Sequence, residues 1–139
     1  MLEKEVEVGF TASFKTQITD QMVRKFADVS GDHNPIHLDD EYAKNTRFKR
    51  RIAHGMIVGA LISRALVDGI GRGGIYMGQN LKFVNPVYID DVVTVTIKIT
   101  NIRREKGIAM VETNATKENG DIVVKGEAMI MMAAPGEYV

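Results

Sequence analysis

Residues 54–67 (HGMIVGALISRALV) decide how the rest of this 139-residue chain must fold. A helix over this stretch is apolar on nearly every face, so we expect protein to surround it on all sides. Gly55 and Gly59 lie four residues apart and leave one face of the helix thin enough for close backbone approach. The longest apolar run, residues 56–62, is too short to span a bilayer. The helix therefore belongs in the core of a globular domain.

Beyond residue 74 the pattern changes to that of β-strands. One strand is predicted from four β-branched residues that alternate with polar ones, namely Val93, Val95, Ile97 and Ile99. Residues 109–115 predict a second strand and residues 122–132 a last one, joined by a two-residue turn at Asn119-Gly120. Four methionines in these segments are expected to fill the core: Met110, Met129, Met131 and Met132.

The first half of the chain predicts one strand followed by a helical section. Residues 4–17 are predicted to form an opening strand or a bent pair of strands, with the bend at Gly9. Thr19 is the predicted N-cap of a helix that ends at Gly31, and Asn34-Pro35 prevents that helix from continuing, because proline lacks an N–H and restricts the residue before it. The order of strand, helices and further strands predicts an α+β fold. In this fold an antiparallel sheet of about five strands curls around the apolar helix.

The composition excludes several classes of protein. The chain is 45% hydrophobic and 26% charged, as in ordinary globular domains, and its net charge of zero argues against a broad nucleic-acid surface. It has no cysteine, which excludes disulfides and thiolate metal sites and fits a reducing compartment. Residues 1–20 lack the pattern of a signal peptide. We therefore expect one domain over residues 1–139, located in the cytoplasm, without nucleic-acid or membrane partners.

Residues 30–39 (SGDHNPIHLD) concentrate the groups that carry chemistry. They place the Asp32 carboxylate and the His37 imidazole five residues apart on a non-helical loop that Pro35 stiffens. Both groups exchange protons near neutral pH once their surroundings tune them. The helix that begins at Gly55 adds free backbone N–H groups and the positive end of a helix dipole, which favour an anion. The chain is therefore predicted to be an enzyme that moves a proton while it holds an anion.

A metal site is the weaker interpretation of the same region. Five potential ligands lie close together in the sequence: Asp32, His33, His37, Asp39 and Asp40. Two histidines four residues apart bind together when a helix places them on one face, and Pro35 prevents a regular helix between these two. We therefore expect neither a metal nor another cofactor. His54 is expected to cap the long helix or to pack at its start.

With the loop and the helix in place, the sequence resembles the MaoC-like (R)-specific enoyl-CoA hydratase family of the hot-dog fold. Three parts of the chain carry this resemblance: residues 31–37 (GDHNPIH), residues 51–56 (RIAHGM), and residues 76–79 (YMGQ) with 83–87 (FVNPV). The likeness extends over essentially the whole chain. It implies a hot-dog homodimer that acts on acyl-CoA, or on an acyl carrier protein thioester, without a cofactor.

The resemblance also implies a reaction and roles for individual residues. The reaction is the reversible hydration of a trans-2-enoyl thioester to a (3R)-3-hydroxyacyl thioester. Asp32 would be the general base for the water that attacks C3, and His37 would hold this water and give a proton to C2 on the same face. The backbone N–H of Gly55 would stabilise the enolate oxygen. Asn34 would either orient the water or brace the loop, and the supporting role is preferred.

Substrate-binding roles are predicted for further residues. Ser63 lies eight residues after Gly55 and is expected either to hydrogen-bond near the site or to bond a backbone carbonyl. A basic run before the long helix would attract coenzyme A phosphates or a phosphopantetheine arm, or else form a solvated loop; it comprises Arg47, Lys49, Arg50 and Arg51. Weaker candidates for the same role are Lys82, Arg103, Arg104 and Lys106.

Two other functions remain open, because one scaffold hosts many activities. A hot-dog thioesterase would direct water to the thioester carbonyl, and thioesterases of this fold usually carry their acid on the central helix. That helix has no carboxylate before Asp68 here. A non-catalytic acyl-CoA-binding module would bind without turnover and has no use for Asp32 and His37 together. The loop therefore favours hydration.

Overall fold

Five antiparallel strands form the framework of the protein, whose computed structural model describes residues 6–133. They are β1 (Thr11–Gln17), β2 (Ile75–Phe83), β3 (Val92–Arg103), β4 (Ile108–Lys117) and β5 (Ile122–Met131). They lie side by side in the order β1-β3-β4-β5-β2, so β1 and β2 are the edges of the sheet. Between β1 and β2 the chain forms α1 (Asp20–Ser30), α2 (Pro35–Leu38), α3 (Asp40–Lys44) and α4 (Gly55–Ile70). The predicted order of strand, helical section and four strands is confirmed.

The opening element predicted over residues 4–17 has its bend at Gly9, and its strand occupies only the part after that residue. The strand begins at Thr11, because a turn in which Gly9 has φ +94° comes first. Residues 4 and 5 of that prediction lie outside the described part of the chain, as do residues 1–3 and 134–139 of the expected domain.

The core lies between α4 and the concave face of the sheet. The alternation predicted for β3 is confirmed, since its four inward side chains are all fully buried: Val93, Val95, Ile97 and Ile99. α4 packs most closely on β3 and β1. It contributes to the core five buried side chains: Ile57, Val58, Ile62, Ala65 and Leu66. Because α4 lies toward the β1 side, its contact with the β2 side of the sheet is looser.

The expectation that protein encloses α4 on every face is wrong for the single chain. Met56 and Val67 on its outer face are 52% and 45% exposed. One sheet covers only one side of a helix, so the apolar outer face is left open. Gly55 and Gly59 do give close approach, but to the side chains of Phe83 and Leu81 rather than to another backbone. No helix within residues 6–133 is long and apolar enough to cross a membrane.

Two predictions about β5 are also wrong. The turn between β4 and β5 has three residues and not the predicted two. It is closed by a hydrogen bond in which the Lys117 N–H donates to the Asp121 carbonyl at 2.9 Å. Gly120 takes the positive φ of +91° that a three-residue loop with a bulge requires. Met129 and Met131 are 36% and 43% exposed rather than in the core, because they fall on the outward positions of the strand.

Candidate active site

The loop that carries Asp32 lies between the C-cap of α1 at Gly31 and the N-cap of α2 at Asn34. Thr19 caps α1 as predicted, and Gly31 ends it with φ +78°. α2 then begins at Pro35, so His37 lies on a one-turn helix and not on the predicted non-helical loop. Proline is compatible with this position because the first residue of a helix does not need its N–H.

Asn34 holds Asp32 in place through the backbone. The Asn34 N–H donates to Oδ1 of Asp32 at 3.2 Å, and Oδ1 of Asn34 accepts from the Ile36 N–H at 3.3 Å to cap α2. The N–H of Asp32 in turn donates to Oγ of Ser30 at 3.1 Å. The Asp32 side chain remains exposed, so its carboxylate is fixed by the loop and still reachable from outside.

His37 is buried, and its tautomer is determined by a backbone carbonyl. Its Nδ1 lies 2.7 Å from the Ile52 carbonyl oxygen. A carbonyl can only accept a hydrogen bond, so Nδ1 carries the hydrogen and Nε2 has a free lone pair. Burial lowers the pKa of His37 below its usual 6.5, and the bond to Ile52 offsets this only in part. His37 is therefore neutral at physiological pH, with Nε2 as an acceptor.

His54 is the residue that sequence reasoning undervalued. It is 2% exposed and stacks on His37 with ring centroids 3.9 Å apart. Its Nε2 lies 3.0 Å from the Asp32 carbonyl oxygen, and the Phe26 ring packs at 4.9 Å. His54 precedes α4 but makes no side-chain hydrogen bond that caps it. It packs at the helix start, as expected, and it also links the two predicted catalytic residues.

Asp32, His37 and His54 form one cluster, in which an oxygen or nitrogen atom of each lies within 4.8 Å of the others. Two histidines and a carboxylate are a set that binds transition metals in other proteins. Here the two imidazoles are stacked at 29°, so their lone pairs run side by side and do not converge on one point. This geometry is unfavourable for the binding of one metal ion by both imidazoles. His33, another of the five potential ligands considered from the sequence, is exposed, with Nδ1 at 3.2 Å from the Gly31 carbonyl.

The start of α4 presents an N–H that is free to bind an anion. No acceptor for the Gly55 N–H is found within residues 6–133, and no side chain caps this end of the helix. A β-carbon at residue 55 would lie 2.7 Å from Cε1 of Phe83. Glycine at this position therefore allows the Phe83 ring to pack on the helix start while the N–H stays available.

Arg51, which the sequence grouped with the basic run, is buried and hydrogen-bonded inside the protein rather than presented to solvent. Its side chain is 9% exposed, and Nε donates to the His37 carbonyl at 2.7 Å. The guanidinium also hydrogen-bonds the Asp20 carboxylate and lies 3.9 Å from Asp40. Hydrogen bonds from Arg51 and Arg24 hold the pKa of Asp20 below its usual value. Arg51 thus joins α1 to the helix that carries His37.

Arg47 and Arg50, two further members of the basic run, are exposed and supported by aromatic rings. Arg47 lies over Phe48 at 5.0 Å and Arg50 over Tyr88 at 4.1 Å. A guanidinium stacked in this way keeps its N–H edge open to an anion. Among the weaker candidates, Arg104 donates to the carbonyl of Val6.

Ser63 lies away from the cluster, on the wall of a small pocket between α4 and the β2 side of the sheet. It is about 12 Å along the helix from Gly55, and its hydroxyl makes no hydrogen bond within residues 6–133. The pocket measures about 50 Å³, and its other lining residues are Leu66, Val67, Ile70, Gly71, Gly74, Tyr76 and Ile130. Burial raises the pKa of Tyr76, whose hydroxyl donates to Gln79 at 2.7 Å. The rest of the wall is mostly apolar.

Known proteins match the chain over nearly its whole length. Residues 3–120 match the family described as MaoC like domain. The "(R)-specific enoyl-CoA hydratase" of Aeromonas caviae is 38% identical over 133 residues, which cover 95% of this chain and 99% of the relative. The protein of the same name from Rhodospirillum rubrum is 40% identical over 134 residues, 96% of this chain and 92% of the relative.

Solved structures of similar proteins also match the chain over nearly its whole length. The R-hydratase of Pseudomonas aeruginosa in its unliganded form has a TM-score of 0.88 at 43% identity, over 92% of this chain and 83% of that one. The (R)-hydratase of A. caviae has a TM-score of 0.90 at 37% identity, over 94% and 99% of the two chains. The predicted α+β hot-dog fold is confirmed.

We expect Arg51→Gln to lower the free energy of unfolding by about 2–3 kcal/mol, because it removes charge-assisted bonds at a buried site. Arg24→Gln, which removes the exposed partner of the same Asp20, is the control and should cost about 0.5 kcal/mol or less. Urea titration measures both. Because the pKa of Asp20 is lowered in the folded state, the ion pair of Asp20 stabilises the fold at neutral pH. This stabilisation is lost only as the pH falls below 3.8, the usual pKa of an aspartate. Equal losses in the two variants would contradict the anchoring role.

Proposed function

The chain belongs to the MaoC-like domain family, and on that premise we propose that it catalyses the reversible (R)-specific hydration of trans-2-enoyl-CoA to (3R)-3-hydroxyacyl-CoA. The observation that carries the proposal is the cluster of Asp32, His37 and His54 within 4.8 Å, directly before the uncapped helix start at Gly55. Such a cluster supplies a base, an acceptor for water and a donor for an anion. The activities for which the relatives are named support the same reaction.

The attacking water occupies the space between the Asp32 carboxylate and Nε2 of His37. Asp32 takes one proton from the water as the water oxygen bonds to C3. The electrons of the C2–C3 double bond move onto the thioester, which becomes an enolate. Protonated Asp32 then returns the proton to C2 on the same face, so addition is syn and both side chains regain their starting state.

His37 holds the water in this scheme, as the resemblance implies, but unlike that implied role it does not give the proton to C2. Its Nδ1 hydrogen is bound to the Ile52 carbonyl and burial lowers its pKa, so Nε2 carries no proton to give to C2. A neutral Nε2 accepts the second hydrogen of the water and directs the water lone pair at C3. His37 therefore orients the water, and Asp32 both removes and returns the proton.

The N–H of Gly55 stabilises the enolate. It donates to the thioester oxygen, where negative charge grows in the transition state, and the dipole of the 16-residue α4 adds to the effect. One donor of this kind contributes about 2.7–4 kcal/mol in acyl-transfer enzymes. The donor is a backbone group, so its place is determined by the fold.

Arg47 and Arg50 hold the phosphates of coenzyme A, or of a carrier-protein arm, since both are exposed and stacked with free N–H edges. The acyl chain extends along α4 into the pocket that contains Ser63. Asn34 supports the site by fixing Asp32. The cytoplasmic location expected from the cysteine-free composition stays a prediction.

A thioesterase fits these residues less well. The first carboxylate on α4 is Asp68, which is 62% exposed and paired with Arg64 at 3.3 Å. Asp68 lies more than three helical turns after Gly55, about 20 Å away along the helix axis. It therefore lies too far from the helix start to direct water to a thioester carbonyl held there.

We propose that the protein is a homodimer joined along β2. β2 is a free edge, and Ile75, Met77 and Phe83 on it are 59%, 48% and 51% exposed. Free strand edges pair readily with another chain, and an isologous pairing of two β2 strands would continue the sheet. The open face of α4, with Met56 and Val67, would lie against the second copy.

The proposed reaction is tested by the loss of the enoyl thioester absorbance with crotonyl-CoA, with an (R)-specific dehydrogenase to trap the product. Asp32→Asn should lower kcat by at least about a hundredfold, since general base catalysis contributes 10²–10⁴. A thiol reagent follows free coenzyme A in parallel. Release of thiol would instead indicate a thioesterase, and the absence of both signals for wild type, with binding retained, would indicate a binding module.

The pH dependence of kcat tests the role given to His37. Its lowered pKa keeps it neutral from about pH 8 down to the ordinary histidine value of 6.5. We expect a level rate over this interval and a decline at lower pH, as the water acceptor is lost. His33→Asn, which removes an exposed histidine, is the control and should leave the profile unchanged. A rate that rises as the pH falls would mean that His37 gives a proton.

Light scattering after size exclusion tests the dimer. We expect wild type to have the mass of two chains and Met77→Lys to have the mass of one, because the lysine places charge on the paired edge. Val29→Lys changes an apolar residue that is 88% exposed on α1 and should stay dimeric. A wild-type protein with the mass of one chain would overturn this part of the proposal.

A further inference from the structure

His54 touches each part of the proposed catalytic site. Its ring stacks on His37 at 3.9 Å, and its Nε2 lies 3.0 Å from the carbonyl oxygen of Asp32. Its own backbone leads directly into Gly55, the first residue of α4. The three proposed catalytic groups come from two segments about twenty residues apart, and the His54 side chain is packed between them.

The contact with Asp32 determines the tautomer of His54. The Asp32 carbonyl can only accept, so Nε2 of His54 carries the hydrogen and donates it. Its Nδ1 is buried and has no hydrogen-bond partner within residues 6–133. A side chain with the opposite tautomer would leave the Asp32 carbonyl without this donor and place a buried N–H beside no acceptor. The single bond through Nε2 is thus the polar interaction that this 2% exposed side chain makes.

From this geometry we infer that His54 is a positioning residue: its Nε2–H bond to the Asp32 carbonyl holds the Asp32 carboxylate in register with Nε2 of His37. The inference rests on the proposed hydratase function. His54 exchanges no proton with the substrate and acts through Asp32. Without the bond, the backbone of the exposed loop at Asp32 gains freedom, and the carboxylate and the imidazole no longer share one water.

A purely structural role of His54 predicts a different result. If the ring of His54 only filled space between His37 and Phe26, then an aromatic ring without a donor would serve as well. If the hydrogen bond matters, then a flexible donor without a ring would serve better. His54→Phe keeps the ring and removes the donor, and His54→Gln keeps a donor of similar reach and removes the ring.

The experiment is steady-state hydration of crotonyl-CoA by wild type, His54→Phe and His54→Gln, with urea titration to confirm that each variant is folded. We expect His54→Phe to lose at least about tenfold in kcat with KM changed by less than about threefold. His54→Gln should keep kcat within about threefold of wild type. Phe26→Leu is the matched control, because it alters packing on the same ring without touching the bond, and it should resemble wild type.

The opposite ranking, with His54→Phe active and His54→Gln impaired, would overturn the inference and leave His54 as a packing residue. Equal loss in both variants would also overturn it. If wild type does not hydrate the substrate, then the proposed function has failed, and the His54 contact is still tested by nitrogen-15 NMR of the imidazoles. The chain has three histidines. We expect His54 to be protonated at Nε2 and His37 at Nδ1, and a His54 protonated at Nδ1 would contradict the bond.

Discussion

Hydrogen bonds between residues 51–55 and the 32–37 loop hold the site together. Three residues of this segment each hold one part of the site: the Arg51 side chain donates to the His37 carbonyl, the Ile52 carbonyl accepts from His37 Nδ1, and the His54 side chain donates to the Asp32 carbonyl. The segment itself is fixed by the Ile52–Tyr88 bridge, so the two segments keep their register. The same segment then ends in Gly55. One short stretch of chain therefore sets the base, the water acceptor and the anion donor relative to one another.

The exposed apolar surfaces have one physical origin. The five-stranded sheet covers only one side of α4. Its edge strand β2 has no further strand beside it in the single chain. Met56 and Val67 on the helix and Met77 on the edge strand are therefore open in the single chain. This looser side also contains the pocket with Ser63. The surface proposed to bind a second copy and the pocket proposed for the acyl chain thus lie on the same side of the helix.

Local patterns in the sequence were enough to predict the caps at Thr19 and Gly31, the alternation in β3 and the presence of α4. These depend on neighbouring residues, and the structure confirms them. The roles of Arg51 and His54 could not be predicted in this way, because their contacts join residues 14 and 22 positions apart. The lowered pKa of His37 likewise comes from burial that no local pattern reveals. The catalytic roles that the resemblance implies for Asp32, His37 and Gly55 stay predictions, and the structure shows how these three residues are held relative to one another.

The most direct test of the proposed mechanism is hydration of crotonyl-CoA in D2O, with the product examined by proton NMR. One deuterium is expected at C2, on the same face as the new hydroxyl at C3, because Asp32 returns the proton to the face from which the water attacks. Deuterium on the opposite face would contradict delivery by Asp32. Free coenzyme A without a hydroxyacyl product would contradict hydration altogether.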